Sequence, residues 1–187
     1  MKVSARTGPA RRLDSVDAEL DAWLAELPGV DPQTEAARMR LLRLGRQLER
    51  ALARTAEKHG MTLGDWEALS VLRRSAPPYK LPPTVLAQAL AITTGTMSVR
   101  LDRLLKAGLI EQVNDESDGR SRPVRLTPLG HRRWQEATAA RTELEWRLIG
   151  EALGSSRLEQ LNRLLRRVML GFELGLGPPP RRPDSGD

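Results

Sequence analysis

The chain has 187 residues, of which 40% are hydrophobic, enough apolar material for one core but for little beyond a single folded unit. Thirty basic residues outnumber 24 acidic ones, which gives a net charge of +6, and only four of the thirty are lysine. This arginine-rich charge favours a polyanionic partner, although a genome that encodes arginine freely would produce the same balance. Cysteine is absent, which excludes disulfides, a thiolate nucleophile and a cysteine-ligated metal.

The two ends of the chain differ in composition from its middle. Residues 1–12 are predicted to be a disordered basic arm, and residues 175–187 a disordered tail rich in Gly and Pro. Residues 13–174 are predicted to fold as one domain. No apolar run approaches the length of a membrane-spanning helix, and no signal-peptide segment is present, so we expect a cytoplasmic protein without a membrane partner.

Helix start and stop signals mark most of that domain. Thr62 and Thr127 are typical capping residues, Asp31 precedes a proline at a first helical position, and Gly108 is placed to end a helix. The predicted helices cover residues 14–27, 31–59, 62–76, 84–90, 94–107, 127–152 and 155–174. The chain is therefore predicted to be mainly α-helical.

The helix that begins near Thr94 has two different sides. Its apolar residues recur at three- and four-residue spacing, which predicts one buried stripe: Met97, Leu101, Leu104 and Leu105. The opposite, free side is predicted to carry Thr94, Thr96, Ser98, Val99, Arg100 and Arg103. Hydroxyls and backbone N–H groups at a helix start bind phosphates, and arginine pairs with guanine in the major groove. With the short helix over residues 84–90 before it, this segment indicates a helix-turn-helix.

A hairpin is predicted directly after that motif. Residues 109–113 and 122–126 are typical of short strands, and residues 114–121 form a polar loop between them. Arg120 and Arg122 then lie on or beside a projecting wing, where the negative potential of a minor groove would attract them. Each piece alone is more often an ordinary solvated surface, but their consecutive order predicts a winged helix-turn-helix over residues 62–127 that binds double-stranded DNA.

The flanking helices, residues 14–59 and 128–174, are longer than a lone winged helix needs. Leu161, Leu165, Val168 and Phe172 belong to an apolar set larger than one small domain could cover. Pairing with a second copy would bury it and would present two recognition helices to one face of the DNA, about one helical turn or ~34 Å apart. A monomeric helical bundle is the alternative.

Several motifs together resemble those of the MarR family of bacterial transcription regulators. They are Leu101-Asp102-Arg103-Leu104, the Gly108-Leu109-Ile110 exit, Asp115, Asp118-Gly119-Arg120 in the wing, and Leu126-Thr127-Pro128 with Gly130. The family's wing usually reads Asp-Pro-x-Asp-Arg-Arg, from which Glu116 and Gly119 depart. Over roughly residues 33 to 172, the resemblance implies a homodimer on a pseudo-palindromic operator, usually a repressor that a small molecule releases.

A narrower resemblance, to the urate-responsive branch of that family, extends to the added N-terminal helix. It implies an effector site at Trp23, Glu67, Arg100 and Gln112, of which Trp23 and Arg100 match the branch. Glu67 lengthens an aspartate by one methylene, and Gln112 replaces an arginine that would attract an anion. Urate is therefore not the expected ligand. A different small aromatic or acidic effector, a regulator without an effector, and a purely packing role for Trp23 all stay open.

The sequence gives less support to other classes of function. No nucleophile–base pair, glycine-rich phosphate loop or metal-ligand cluster is present, and His59 and His131 are far apart, so we expect no enzyme, no cofactor and no metal. A winged helix that contacts RNA or protein without an effector is the more serious rival, because the hairpin and basic surface also suit recognition by shape.

Overall fold

The computed structural model describes residues 13–113 and 122–177. Its elements are α1 (Asp17–Glu26), α2 (Pro32–Lys58), α3 (Leu63–Arg74), β1 (Lys80–Leu81), α4 (Pro83–Leu90), α5 (Thr94–Lys106), β2 (Ile110–Gln112), β3 (Val124–Leu126), α6 (Pro128–Glu145), a π-helical turn (Trp146–Gly150) and α7 (Glu151–Leu176). The contacts divide the chain within α2, into one unit that ends at Ala51 and another that begins at Leu52. The single domain over residues 13–174 stays a prediction, and the basic arm and most of the tail lie outside the described residues.

The first unit holds α1 against the start of α2 largely through charged groups. Between Asp17 and Glu26, α1 buries no residue, and Val16 supplies the apolar contact just ahead of it. Arg40 bonds to both Asp14, at 2.8 Å from Nε, and Asp17, at 2.6 Å from Nη2. The Arg40 guanidinium is the main reason that the pKa of Asp14 falls to about 2.

The second unit contains the main core. The predicted stripe of α5 is confirmed: Met97, Leu101 and Leu104 are buried, and Leu105 packs against them from the edge. They meet the buried face of α3, with Leu69 and Leu72 completely enclosed. Thr62 begins α3 as predicted, in a capping box with Asp65. The core thus fixes α3 and α5 against each other, with the outer side of α5 exposed.

The β element has three strands where the sequence predicted two. Strands β2 and β3 pair antiparallel, with Glu111 opposite Arg125, and β1 adds to the other edge of β3, with Lys80 opposite Arg125. The sheet order is therefore β1-β3-β2. Strand β1 has two residues, too few to show the alternation from which a strand is predicted. The predicted hairpin loop, residues 114–121, lies outside the described part of the chain.

The C-terminal helices break near the predicted position. Helix α6 ends at Glu145, a π-helical turn follows, and the backbone leaves helical geometry at Gly154, where φ is +69° and ψ is 167°. Glycine is favoured there because a Cβ strains a positive φ. Across its whole length α7 has no buried residue. Leu164, Val168 and Phe172 are all at least 43% exposed, so large apolar side chains of α7 are left uncovered in the single chain.

Candidate nucleic-acid interface

The turn between α4 and α5 is built from local hydrogen bonds. Ala91 takes a left-handed conformation, with φ of 54°, and the Ile92 N–H donates to the Ala87 carbonyl at 3.1 Å. Thr93 then begins α5, its Oγ1 accepting the Thr96 N–H at 3.1 Å. This tight turn fixes the residue at which α5 begins and its direction relative to α4.

The first two turns of α5 present small side chains outward. Thr94, Ser98 and Val99 are exposed, with Val99 at 64%, whereas Thr96 is half-buried and shares a hydroxyl contact of 2.9 Å with Thr93. The Ser98 hydroxyl donates to the Thr94 carbonyl at 2.9 Å. Thr94, Ser98 and Val99 therefore form an exposed surface of two hydroxyls and one apolar side chain at the start of α5.

Arg103, on the exposed side of α5, is bound by a carboxylate of α3. Its Nε lies 3.0 Å from Oδ1 and 2.9 Å from Oδ2 of Asp65, and its Nη2 lies 2.9 Å from Oδ1. Asp65 is 2% exposed, and a buried carboxylate requires a charged partner. About half of the Arg103 side chain, 47%, is still exposed. Arg103 therefore lies on the exposed side of α5, as predicted, and Asp65 in α3 binds it there; a contact to DNA stays a prediction.

Arg100 also lies back against α3. A Cβ placed on Gly64 would be 2.4 Å from Arg100 Nη2 and 2.5 Å from its Cζ, so the guanidinium rests on the bare backbone of Gly64. Its Nη1 is buried without a hydrogen-bond partner among the described residues. In this conformation Arg100 is half-buried.

The segment around β3 carries further arginines. Arg122 is exposed just before β3, and Arg125 pairs across the sheet with Glu111 at 2.7 Å. Arg120 belongs to residues 114–121, outside the described residues. The exposed sheet face is therefore partly neutralised by Glu111, while Arg122 adds a positive charge at the start of β3.

The four predicted effector residues are divided between the two units: Trp23 belongs to the first, and Glu67, Arg100 and Gln112 belong to the second. In the first unit, the indole Nε1 of Trp23 donates to Glu35 at 2.8 Å while 46% of the residue stays exposed. Arg38, with Trp23 contributing, lowers the pKa of Glu35, which is itself buried. In the second unit, Glu67 is half-buried on α3 and Gln112 is exposed at the end of β2. The common pocket stays a prediction.

Sequence reasoning missed two acids that bind the predicted residues. Asp65 carried a detectable signal, because it stands three residues after Thr62, where a capping box places an acid. Glu35 carried none, since nothing in the spacing of 12 residues indicates that it meets Trp23. Both are buried carboxylates that hold a predicted site residue in place.

Comparison with known proteins identifies the family. The MarR family model matches residues 59–121. The HTH-type transcriptional regulator PecS of Dickeya dadantii is 32% identical over 121 residues, which cover 65% of this chain and 72% of PecS. The chain belongs to the MarR family.

Other relatives agree with this. The transcriptional activatory protein BadR of Rhodopseudomonas palustris is 25% identical over 70% of this chain and 73% of its own. The YusO protein of Bacillus subtilis has the same fold, with a TM-score of 0.65, 19% identity, and coverage of 75% of this chain and 96% of YusO. The winged-helix architecture predicted for a MarR-family regulator is therefore confirmed.

Two features bear on other functional classes. Within residues 13–113 and 122–177, no helix is long and apolar enough to cross a bilayer. In the same part of the chain, no three His, Asp or Glu side chains converge as metal ligands would. MarR-family proteins are transcriptional regulators, which agrees with the expectation that the chain is not an enzyme.

His131 on α6 packs beside Arg73 and Tyr79. Arg73 lies 4.8 Å above the ring of Tyr79, and its Nη1 is 3.4 Å from Nδ1 of His131. Burial, and then the charge of Arg73, lower the pKa of His131 below 6.5. As pH falls below 6.5, the unfolded chain therefore takes up a proton that the folded chain resists, so the free energy of unfolding declines.

We expect the urea midpoint to be lower at pH 5.5 than at pH 7.5, and His131→Gln to reduce that difference because it removes the titrating group. His59→Gln is the matched control and should keep the full difference. An equal decline in the wild type and the His131→Gln variant would contradict the assignment.

Proposed function

We propose that this chain is a homodimeric DNA-binding transcriptional regulator that reads a pseudo-palindromic operator with α5 and the wing. The observation that carries the proposal is the exposed start of α5, where Thr94, Ser98 and Val99 face away from the core that Met97 and Leu101 enter. A helix held by one face and exposed at its N-terminal end is the geometry by which helix-turn-helix proteins reach base edges.

Relatives of the same fold support a DNA partner. A mutant form of MarR from E. coli was solved in complex with operator DNA; it has a TM-score of 0.56, is 23% identical, and covers 70% of this chain and 91% of its own. The chain's own charge of +6 agrees with a polyanionic partner. Duplex DNA is therefore favoured over the RNA- or protein-binding alternative.

The individual side chains suit different contacts. Thr94, Thr96 and Ser98 stand at the helix start, where hydroxyls hold phosphates, and Val99 suits a thymine methyl group. Arg103 can touch a phosphate while it stays bound to Asp65, because 47% of its side chain is exposed. We assign base discrimination to Arg100, once it leaves Gly64, and affinity to Arg120 and Arg122 of the wing.

The uncovered apolar face of α7 supports the dimer. Leu161, Leu165, Val168 and Phe172 follow one another at four- and three-residue spacing, which aligns them on one face of the helix. Leu165 is 39% exposed and Phe172 58%. A row of this kind is costly in water, and a second copy of the same helix would cover it.

We further propose that the regulator represses adjacent genes and that a small aromatic or acidic ligand releases it. Trp23 supports an aromatic ligand, since its ring is partly exposed in a groove that Ala22, Arg38 and Met39 also line. From the family resemblance, we propose Arg100 and Gln112 as partners for the polar part of an effector, and Glu67 as a carboxylate that an acidic effector would repel. A ligand that binds Arg100 would compete with DNA for this side chain.

Replacing Arg100 with Ala tests the assigned reading surface. We expect Arg100→Ala to lower the preference for the operator over random DNA by roughly 10- to 100-fold, the effect of losing a bidentate base contact. Arg120→Ala should weaken binding to both DNAs similarly, because a wing contact to the groove carries less sequence information. Fluorescence anisotropy with both duplexes at several salt concentrations measures the ratio.

The exposed Arg147, in the π-helical turn, provides the control, and Arg147→Ala should leave the ratio unchanged. If the operator preference survives Arg100→Ala in full, Arg100 is not the discriminating side chain. If wild-type protein binds random DNA as tightly as operator DNA at every salt concentration, the proposed function itself is wrong.

A further inference from the structure

The first turn of α3 contacts α5, the proposed recognition helix, at two successive turns. Asp65, in that first turn, bonds to Arg103 through both carboxylate oxygens at 2.9–3.0 Å. One helical turn earlier on α5, Arg100 lies on Gly64. Gly64 and Asp65 are consecutive in the chain. They therefore contact α5 over about one helical turn, or about 5 Å along the axis of α5.

Asp65 is fixed on its other side by the backbone. Its Oδ2 accepts the Thr62 N–H at 2.9 Å, and its own N–H donates to Thr62 Oγ1 at 3.1 Å. The carboxylate therefore cannot rotate without losing the helix cap, and at 2% exposure it has little water to replace a lost partner. Its position is determined by α3 before Arg103 binds.

Apart from Arg100 on Gly64 and a longer bond of 3.4 Å from Arg103 Nη2 to Thr62 Oγ1, the contact between α3 and α5 is apolar and weakly directional. Met97, Leu101 and Leu104 enter the core beside Leu69 and Leu72, and such packing resists separation more than small rotations of the helix. A carboxylate that bonds to both Nε and Nη2 of a guanidinium fixes distance and angle together. The ion pair therefore constrains the rotation of α5 more directionally than the apolar contact does.

We propose that Asp65 is a positioning residue for operator recognition: through Arg103 it fixes the rotation at which α5 presents Thr94, Ser98 and Val99 to DNA. The inference rests on the proposed DNA-binding function.

Asp65→Asn and Arg103→Gln separate positioning from stability. Asparagine keeps an acceptor for the Thr62 N–H and so retains the cap, but it loses the charged pair. We expect each variant to lower the operator-to-random preference about tenfold and to speed amide exchange in α5 about tenfold, the effect of one charge-assisted hydrogen bond. The double variant should show no further loss beyond that of Arg103→Gln, because the Asp65–Arg103 pair is already absent once either partner is replaced.

Glu143→Gln, which removes an exposed ion-pair partner from α6, should change neither readout. Conservative Arg103→Lys should recover part of the α5 protection. Unchanged α5 exchange in Asp65→Asn, or additive losses in the double variant, would overturn the positioning role even if the wild type binds its operator. Failure of the wild type to prefer any operator would instead refute the proposed function, while the exchange measurements would still decide whether Asp65 holds α5.

Discussion

Val168→Asp is expected to convert the protein to a monomer and to weaken operator binding by about 100-fold or more. Val168 is 43% exposed, at the centre of the apolar row on α7. A carboxylate there would lie between two copies of the helix, and burying an unpaired charge costs more than the contacts around it return. A monomer binds one half-site and loses the linkage between the two recognition helices.

Ser156→Asp is the matched control, because it adds the same side chain to the same helix at an exposed position on the opposite face. Sedimentation velocity at micromolar concentration and anisotropy with the operator give the two readouts. The dimer assignment would fail if Val168→Asp sedimented as the wild type does, or if Ser156→Asp dissociated equally.

Gly130→Ala is expected to destabilise the fold by about 2–3 kcal/mol. A Cβ on Gly130 would lie 2.0 Å from the Leu109 carbonyl oxygen and 3.2 Å from Leu126 Cδ2. The first of these atoms belongs to the backbone at the start of the wing, where the Thr127 N–H also bonds to the same carbonyl at 3.2 Å. Space for the methyl group requires α6 to move away from the sheet.

Gly45→Ala, in the middle of α2, is the control, since a Cβ there meets nothing within 4 Å. Alanine's higher helix propensity should leave its stability equal or raise it by about 0.5–1 kcal/mol. Urea unfolding of the three proteins measures the difference. A midpoint for Gly130→Ala at or above that of the wild type would show that α6 and the wing are not closely packed.

Local signals in the sequence predicted the helices well. Thr62 and Thr127 begin α3 and α6 as expected, and the break between α6 and α7 falls at Gly154, beside the predicted start. Capping and glycine effects act within a few residues, so they can be recognised from the chain alone. Strand β1 could not, because Lys80 and Leu81 form a strand only when β3 pairs with them.

The candidate site was predicted in outline but not in its contacts. Periodicity correctly assigned Met97 and Leu101 to the core and Val99 to the surface. It could not show that Arg103 meets Asp65, 38 residues away, since a helical pattern gives the direction of a side chain and not its partner. For the same reason, Trp23 was recognised as a candidate without Glu35, which holds its indole N–H.

The central claim is that two copies of α5 read a symmetric operator. A footprint of the wild-type protein on the DNA that flanks its own gene, repeated with a panel of aromatic and acidic metabolites, tests it most directly. We predict two protected half-sites related by two-fold symmetry, with centres about one helical turn or ~34 Å apart, and loss of protection with at least one metabolite. Uniform, sequence-indifferent protection, or none at low salt, would contradict the account.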